Sequence, residues 1–383
     1  NPTRGQYYLH NFLAQQPDLN FHNPAVQDAL LDVMRFWLER GVDGFRLDTV
    51  NYYFHDAQLR NNPAARRPKH LPYAVNPYDM QEHRYSKSQP ENVDFLKRVR
   101  TLLDKFPGTT TVGEVGDSHK SLQLMSEYTS GGDKLHMCYS FDMLGPEFSA
   151  EHFRTRVQRV FGASKDSWAC WSFSNHDVPR HVTRWKGFAH DRAALARQAA
   201  ALLLTLKGSV CLYQGEELGL PEADVPYEAL QDPYGKAFWP NFKGRDGCRT
   251  PMPWSDRAQA GFSSAKPWLP VPAAHIARNV AAQSANPASV LNAARAFLHW
   301  RKSQPALVEG AIRFLDAPAQ VLAFVREHDG QRLLVAFNLS PDPVAWTAPA
   351  GIELLPAPGA DAASLRDGAL HFPPRGAAYA ILG

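Results

Sequence analysis

The sequence predicts an α/β fold built on a parallel sheet and followed by a separate all-β domain. Three observations carry that expectation. Strand-like apolar runs alternate with helical segments as far as Lys302, the pattern of βα units. From Ala311 onward the texture changes to short alternating runs punctuated by Pro and Gly, which reads as an all-β domain. The chain has 383 residues, 44% apolar and 21% charged, enough for a sizeable core and more than one domain.

Taken in order, Asn23-Pro24 looks like an N-cap with Pro at the first helical position, and Val26, Leu30, Val33 and Trp37 recur at helical spacing. Gly41 is placed to end that helix. Val42 to Val50 is strand-like and carries Asp43, Arg46 and Asp48. The long excursion 51–91 is rich in Pro, Asn and Tyr, and loops of that length inside a domain are usually functional. A second helix has Phe95, Val99, Leu102 and Phe106 on one face, stopped by Pro107-Gly108. Thr109 to Val115 then reads as a buried strand. Lys134–Asp142, Trp168–Phe173 and Ser209–Tyr213 read as further strands, with helices over Ala150–Phe161 and Arg192–Lys207. Residues 220–285 are irregular and rich in Pro and Trp, like loops over a site. Ala288–Lys302 is a last helix, and Val321–Arg326, Leu333–Asn338 and Ala377–Leu382 are strands of the β domain. Five strands precede that domain, whereas a closed (β/α)8 barrel needs eight. The pattern alone therefore leaves an open sheet or a barrel whose first three units lie elsewhere.

Composition excludes several function classes. The net charge of +3 and a single basic cluster, Arg66-Arg67-Pro-Lys69, in a Pro- and Asn-rich loop argue against nucleic acid as a partner. No apolar run approaches the roughly 18 residues that span a bilayer, so no membrane partner is expected. Cys138, Cys170, Cys211 and Cys248 are widely spaced and form no CxxC pair, against a zinc or redox motif. No metal site and no cofactor are expected. The first three cysteines sit in apolar runs and read as small buried core residues. That fits a reducing, cytoplasmic compartment, with a periplasmic one left open because the sequence enters in mid-loop at Asn1.

Asp48, Glu114 and Asp177 each stand at or just after the C-terminal end of a predicted parallel strand. In a barrel those ends converge on one face, where catalytic side chains come from several strands. Taken singly, an Asp after a strand also serves as an N-cap, and a Glu there also pairs with a neighbouring Arg; three such acids together point to chemistry. Paired carboxylates suit glycoside hydrolysis, which needs a proton donor for the leaving oxygen and a nucleophile or activated water for the anomeric carbon. Arg46, two residues before Asp48 on the same strand face, is the natural counter-charge, and His176 stands beside Asp177.

Gly44-Phe-Arg-Leu-Asp48, Val112-Gly-Glu114-Val115 and Phe173-Ser-Asn-His-Asp177 resemble three signature segments of the α-amylase superfamily, glycoside hydrolase family 13. Gln16-Pro-Asp-Leu-Asn-Phe21 resembles a fourth, in the form of the oligo-1,6-glucosidase and α-glucosidase branch. Gln214-Gly-Glu-Glu-Leu-Gly219 and Arg245-Asp-Gly-Cys-Arg-Thr-Pro-Met-Pro-Trp254 are similar to that branch too. The resemblance spans residues 7 to about 340 and implies a TIM barrel, (β/α)8, of which strands four to eight lie in this chain. It implies an organisation in three parts: 1–22 as the tail of an excursion after strand three, 23–305 as the C-terminal part of the barrel, and 311–383 as a β-sandwich. The family's first signature segment, an Asp followed by a His on strand three, does not occur here. The expectation is accordingly that the fold requires an N-terminal barrel segment not in this sequence.

The roles the resemblance implies are specific. Asp48 attacks the anomeric carbon, and Glu114 protonates the glycosidic oxygen and later deprotonates water. Asp177 holds sugar hydroxyls, with His176 donating a hydrogen bond beside it. Arg46 orients Asp48, and Arg249 meets the non-reducing-end glucose. Phe141 packs at the barrel face, although a plain core role suits an aromatic residue there equally well. Thr49 lies at the rim of the glucose pocket, where the branch tends to have Val in enzymes preferring α-1,6 bonds and Thr or Ala in those preferring α-1,4. The implied activity is a retaining α-glucosidase acting on a small sugar substrate, maltose-like α-1,4 bonds preferred, with transfer to alcohols or sugars. A sucrose hydrolase or isomerase, or an α-1,6-preferring enzyme, would use the same covalent intermediate. A non-enzymatic alternative shares the fold, the heavy subunits of heteromeric amino-acid transporters, some of which have lost the carboxylates that stand here.

Overall fold

The computed structural model describes residues 1–66, 76–188 and 191–383. Most of the basic cluster, Arg67 to Lys69, lies outside the described residues. Contacts divide the chain into two units, Asn1–Phe141 with Arg159–Cys170, and Asp142–Gln158 with Trp171–Gly383.

The first unit is a parallel sheet with helices. Helix α1 (Pro24–Leu38) starts as the sequence suggests, with the Asn23 side chain accepting from the Ala25 N–H and Pro24 at the first position. Its buried face differs from the expected one. Leu31, Met34 and Leu38 are buried, whereas Val33 and Trp37 are about half exposed. Apolar residues flank both sides of the polar stripe formed by Asp28, Asp32 and Arg35, so spacing alone could not select the packed side. Strand β1 (Gly44–Leu47), helix α2 (Asn92–Leu103), strand β2 (Thr110–Val115), helix α3 (Ser121–Thr129) and strand β3 (Met137–Ser140) follow. The sheet order is β1-β2-β3, all parallel. Phe95, Val99 and Leu102 of α2 pack with Phe21 and Phe54 into the core beneath it, with Phe106 half-buried against them.

Two glycines fix this sheet. Gly44 has φ +148°, and a Cβ there would lie 1.9 Å from the Thr110 carbonyl oxygen. A Cβ on Gly113 would meet Leu135, Val50 and Cys138 side chains at 2.7 to 3.1 Å. Only glycine permits so close an approach of neighbouring strands. The register pairs Arg46 with Val112 and Glu114 with Tyr139. Since strand side chains alternate, Glu114 and Tyr139 stand on one face, and Gly113 presents its missing side chain to the other.

In the second unit helix α4 (Ala150–Ala163), which continues into the first, precedes β4 (Cys170–Trp171), paired with β5 (Ser209–Val210). Both strands are shorter than the apolar runs around them. Between them lie the short α5 (His181–Arg184) and α6 (Arg192–Thr205), ten of whose residues are buried. Residues 220–285 are largely irregular, as expected, with the short helices α7 (Pro233–Ala237), α8 (Ala273–Ile276) and α9 (Val280–Ala285). Cys138, Cys170 and Cys248 are buried, but Cys211 is exposed. The expectation that it sits in the core fails: Cys211 lies just past β5, where its N–H still bonds the Trp171 carbonyl at 2.9 Å, but the residue is exposed.

Helices α10 (Val290–Lys302) and α11 (Pro305–Val308) lead into eight antiparallel strands. β6 (Ala311–Phe314), β7 (Val321–His328), β8 (Gln331–Asn338), β10 (Ile352–Leu354) and β13 (Ala377–Leu382) form one sheet in the order β10-β13-β8-β7-β6. β9 (Val344–Thr347), β11 (Ser364–Arg366) and β12 (Ala369–Phe372) form the other. Val321, Leu334, Trp346, Leu370 and Phe372 from both sheets share one core. The seam with the helices combines aromatic packing, Phe297 and Trp300 of α10 against Tyr379 of β13, with polar links. Gln198 of α6 donates to the Asn338 carbonyl at 2.7 Å. Arg326 of β7, fully buried, donates to the carbonyls of Thr205 and Gly310 at 2.6 and 2.9 Å.

Candidate active site

In the first unit the end of β1 places Arg46 and Asp48 beside the end of β2 with Glu114. One guanidinium holds both carboxylates: Nη1 pairs with Asp48, and Nη2 with Glu114 Oε2 at 2.8 Å. The two acids live in opposite surroundings. The Asp48 side chain is 71% exposed and that of Glu114 only 3%. Burial pushes the Glu114 pKa above the usual carboxyl range, while hydrogen bonds from Tyr139, the Arg46 charge and the Thr49 amide oppose it and Asp48 adds to it. A buried carboxyl whose pKa is pushed up, joined through one arginine to an exposed one, is the unequal pairing that acid/base chemistry on a glycoside uses.

Thr49 lies just past the strand, in the left-handed conformation (φ 41°), which a β-branched residue rarely adopts. Sheet propensity therefore does not account for a threonine here. The turn aims the Thr49 N–H at Glu114 Oε2, 3.2 Å away. Asp48 and Thr49 open onto a cavity of about 460 Å³, also lined by Phe12, Asp18, Phe45 and Tyr52. Phe141 stands half-buried in the turn after β3. Tyr139, which the sequence reading passed over as part of an apolar strand run, donates its hydroxyl to Glu114 Oε1 at 2.7 Å.

In the second unit Asp177 follows β4. Its Oδ1 accepts from Arg245 Nη1 and Arg249 Nη2, both at 2.9 Å. His176 Nε2 lies 3.4 Å from Oδ2, and its carbonyl accepts from Arg249 Nε at 2.6 Å. The local turn is set by Asn175, whose side chain accepts from the Asp177 N–H. Arg249 thus meets His176 and Asp177 as neighbours. Arg245 was not singled out, although it opens the segment that ends at Trp254. It is anchored by Asp232, whose side chain has no exposed surface, through contacts of 2.8 to 3.1 Å. Burial pushes Asp232 up, but the Arg245 contacts outweigh it and hold its pKa below the ordinary value. Among the described residues, no cluster of three or more His, Cys, Asp or Glu side chains could hold a metal ion, and no helix is long and apolar enough to cross a membrane.

Residues 1–310 match the α-amylase catalytic domain, and residues 312–381 the maltogenic amylase C-terminal domain. A probable α-glucosidase of Rhizobium meliloti is 57% identical over 344 residues, 89% of this chain and 62% of its own length. The oligo-1,6-glucosidase of Heyndrickxia coagulans is 30% identical, over 91% of this chain and 67% of its own. The chain thus spans only part of the length of these relatives. Among solved structures, the α-glucosyl transfer enzyme XgtA superposes with a TM-score of 0.94 at 53% identity, covering 98% of this chain and 71% of that one. The trehalulose synthase MutB of Pseudomonas mesoacidophila MX-45 gives 0.82 at 28% identity, covering 98% and 72%.

Proposed function

The chain belongs to the α-amylase family, glycoside hydrolase family 13, with a TIM-barrel catalytic domain and an all-β C-terminal domain, and from that membership we propose that the protein is a retaining α-glucosidase that also transfers glucose. The observation that carries the proposal is the Arg46 fork joining an exposed Asp48 to a buried Glu114. A single guanidinium's reach favours the shorter of the two carboxyl spacings known in glycosidases, about 5 to 5.5 Å, which goes with a covalent intermediate.

On this reading the Asp48 carboxylate attacks the anomeric carbon as the glycosidic C–O bond breaks, and Glu114 gives its proton to the departing oxygen. The Glu114 carboxylate then takes a proton from water, whose oxygen displaces Asp48 from the sugar. An alcohol or a second sugar in place of that water gives transfer. Arg46 is the counter-charge for both acids. Asp177, clamped by Arg245 and Arg249, is assigned to the sugar hydroxyls, with His176 and Arg249 as further contacts and Phe141 as an apolar one. The proposed substrates are short α-glucosides, α-1,4 bonds preferred on account of Thr49, with no membrane or nucleic-acid partner. The trehalulose synthase neighbour favours one second reading, isomerisation of sucrose by the same intermediate.

The test is made on the complete natural protein. Proton NMR of the first product of maltose hydrolysis should give the α-anomer, and a β-anomer would rule out retention. Asp48→Asn should lose turnover by at least a thousandfold, roughly the scale expected for loss of a nucleophile. Glu114→Gln should still release fluoride from α-glucosyl fluoride in the first step, because that leaving group needs no proton. Near-normal maltose turnover by both variants would refute the assignment, and sucrose converted mainly to an isomer would favour the second reading.

A further inference from the structure

We propose that Tyr139 is a positioning residue for Glu114, a hydroxyl locked in direction by Arg46 that orients the carboxyl and favours its deprotonated state. The inference rests on the reading of Glu114 as the acid/base.

The argument begins with register. Glu114 and Tyr139 are paired on adjacent parallel strands, so their side chains leave the same face side by side. The phenol oxygen is 2.7 Å from Glu114 Oε1 and 2.9 Å from Arg46 Nη2. A guanidinium has only donors. Arg46 therefore occupies a lone pair of the phenol oxygen, and the one hydroxyl hydrogen is left to point at Glu114. Tyr139 is only 6% exposed. Burial, and then the Glu114 charge, raise its own ionisation well above neutral pH, so it remains a donor over the whole working range.

The other carboxyl oxygen of Glu114 is met by Arg46 Nη2 at 2.8 Å and by the Thr49 N–H at 3.2 Å. Three donors thus favour the carboxylate, while burial and the Asp48 charge favour the acid. Tyr53, whose phenol is also held neutral by burial and by Asp48, is a further titratable group among the described residues that senses the pair. Glu114 must be an acid in the first half of the reaction and a base in the second. A group balanced between opposed influences can be both, and Tyr139 is the one neutral side-chain donor among the groups named here. A phenylalanine would fill the same strand position equally well, so packing does not account for the hydroxyl.

The experiment measures kcat/KM for maltose against pH in the complete natural protein, for wild type, Tyr139→Phe, and a variant with 3-fluorotyrosine placed at 139. Loss of the hydroxyl should move the alkaline limb, where Glu114 loses the proton it donates, upward by about one pH unit, the scale of one hydrogen bond to a charged group. The fluorinated phenol keeps the shape and is a stronger donor, so it should move the limb downward. Release of fluoride from α-glucosyl fluoride should change little. An unmoved limb in both variants, whatever happens to activity or melting temperature, would make Tyr139 a packing residue and overturn the proposal. If Tyr139→Phe does not fold, the fluorinated variant decides alone. A wild type that turns over no α-glucoside would overturn the acid/base reading itself, and the role of Tyr139 with it, so the two failures are distinguishable.

Discussion

Replacing Gly44 by alanine tests the geometry on which the whole first-unit site depends. A Cβ at this position would sit 1.9 Å from the Thr110 oxygen and within 3 Å of the Thr110 carbonyl carbon and nitrogen. Every one of those atoms is backbone, so no side chain can swing aside. Relief requires β1 and β2 to part by roughly 1.5 Å to regain ordinary contact. The pairing of Gly44 with Thr110, and the bond from the Thr110 N–H to the Asp43 carbonyl, are then lost. Two ladder hydrogen bonds at about 1 kcal/mol each, plus about 1 to 3 kcal/mol for a side chain held at φ +148°, give roughly 3 to 5 kcal/mol. That is a large share of the stability of an ordinary domain. Gly41 supplies the control. Its φ is +88°, but a Cβ there meets nothing within 4 Å, so Gly41→Ala should cost only the backbone part, about 1 to 2 kcal/mol. Denaturant unfolding of the two variants against wild type measures the difference. Equal losses would refute the close approach. A Gly44→Ala protein that stayed folded should also lose activity, since Arg46 is two residues downstream.

Two further outcomes are expected. Thr49→Val exchanges a hydroxyl for a methyl at the rim of the cavity, and the ratio of kcat/KM for maltose to that for isomaltose should fall by roughly tenfold, about 1 to 3 kcal/mol of discrimination being available to such a change; faster isomaltose hydrolysis by wild type would overturn the α-1,4 assignment, and an unchanged ratio in the variant would exonerate Thr49. Asp232→Asn removes the buried partner of Arg245 and should destabilise the second unit by about 3 kcal/mol. Because the folded pKa of Asp232 is lowered, its contribution is present above the ordinary Asp value and is lost as pH falls through the folded one. The wild-type advantage in melting temperature should therefore shrink on acidification below about pH 4; an advantage independent of pH would contradict the ion-pair account.

The acids were legible in the sequence because a strand end followed by a carboxylate is a local pattern, and Asp48, Glu114 and Asp177 all show it. Tyr139 was not, because in a run such as Met-Cys-Tyr-Ser a tyrosine is indistinguishable from a packed aromatic until the register with β2 is known. Arg245 was hidden for a related reason: its partners, Asp232 and Asp177, are 13 and 68 residues away, beyond any local period. The helices were found where one stripe is apolar, as in α2. For α1 the periodicity found the helix but not its buried side. In the β domain the long strands β7, β8 and β13 announced themselves by composition, whereas β9 to β12, three or four residues each and edged by Pro, Gly and Asp, gave too little alternation to register.

The polar links between α6, β7 and the α11 region have a consequence for protein engineering. Arg326 has no exposed surface, its pKa is pushed down to about 9 by burial and then by Arg301, and its hydrogens go to main-chain oxygens rather than to an acid. Such a plug cannot be withdrawn piecemeal. Cutting the chain near residue 310 would strand the Thr205 carbonyl at the end of α6 without its Arg326 donor and remove part of the cover of a helix most of whose residues are buried. Swapping this β domain between relatives should accordingly succeed only when the residues at 198, 205, 326 and 338 travel as a set. In hydrogen-exchange measurements the amides of α6 and of β7 should open together, as one cooperative block spanning what the sequence divides into two domains.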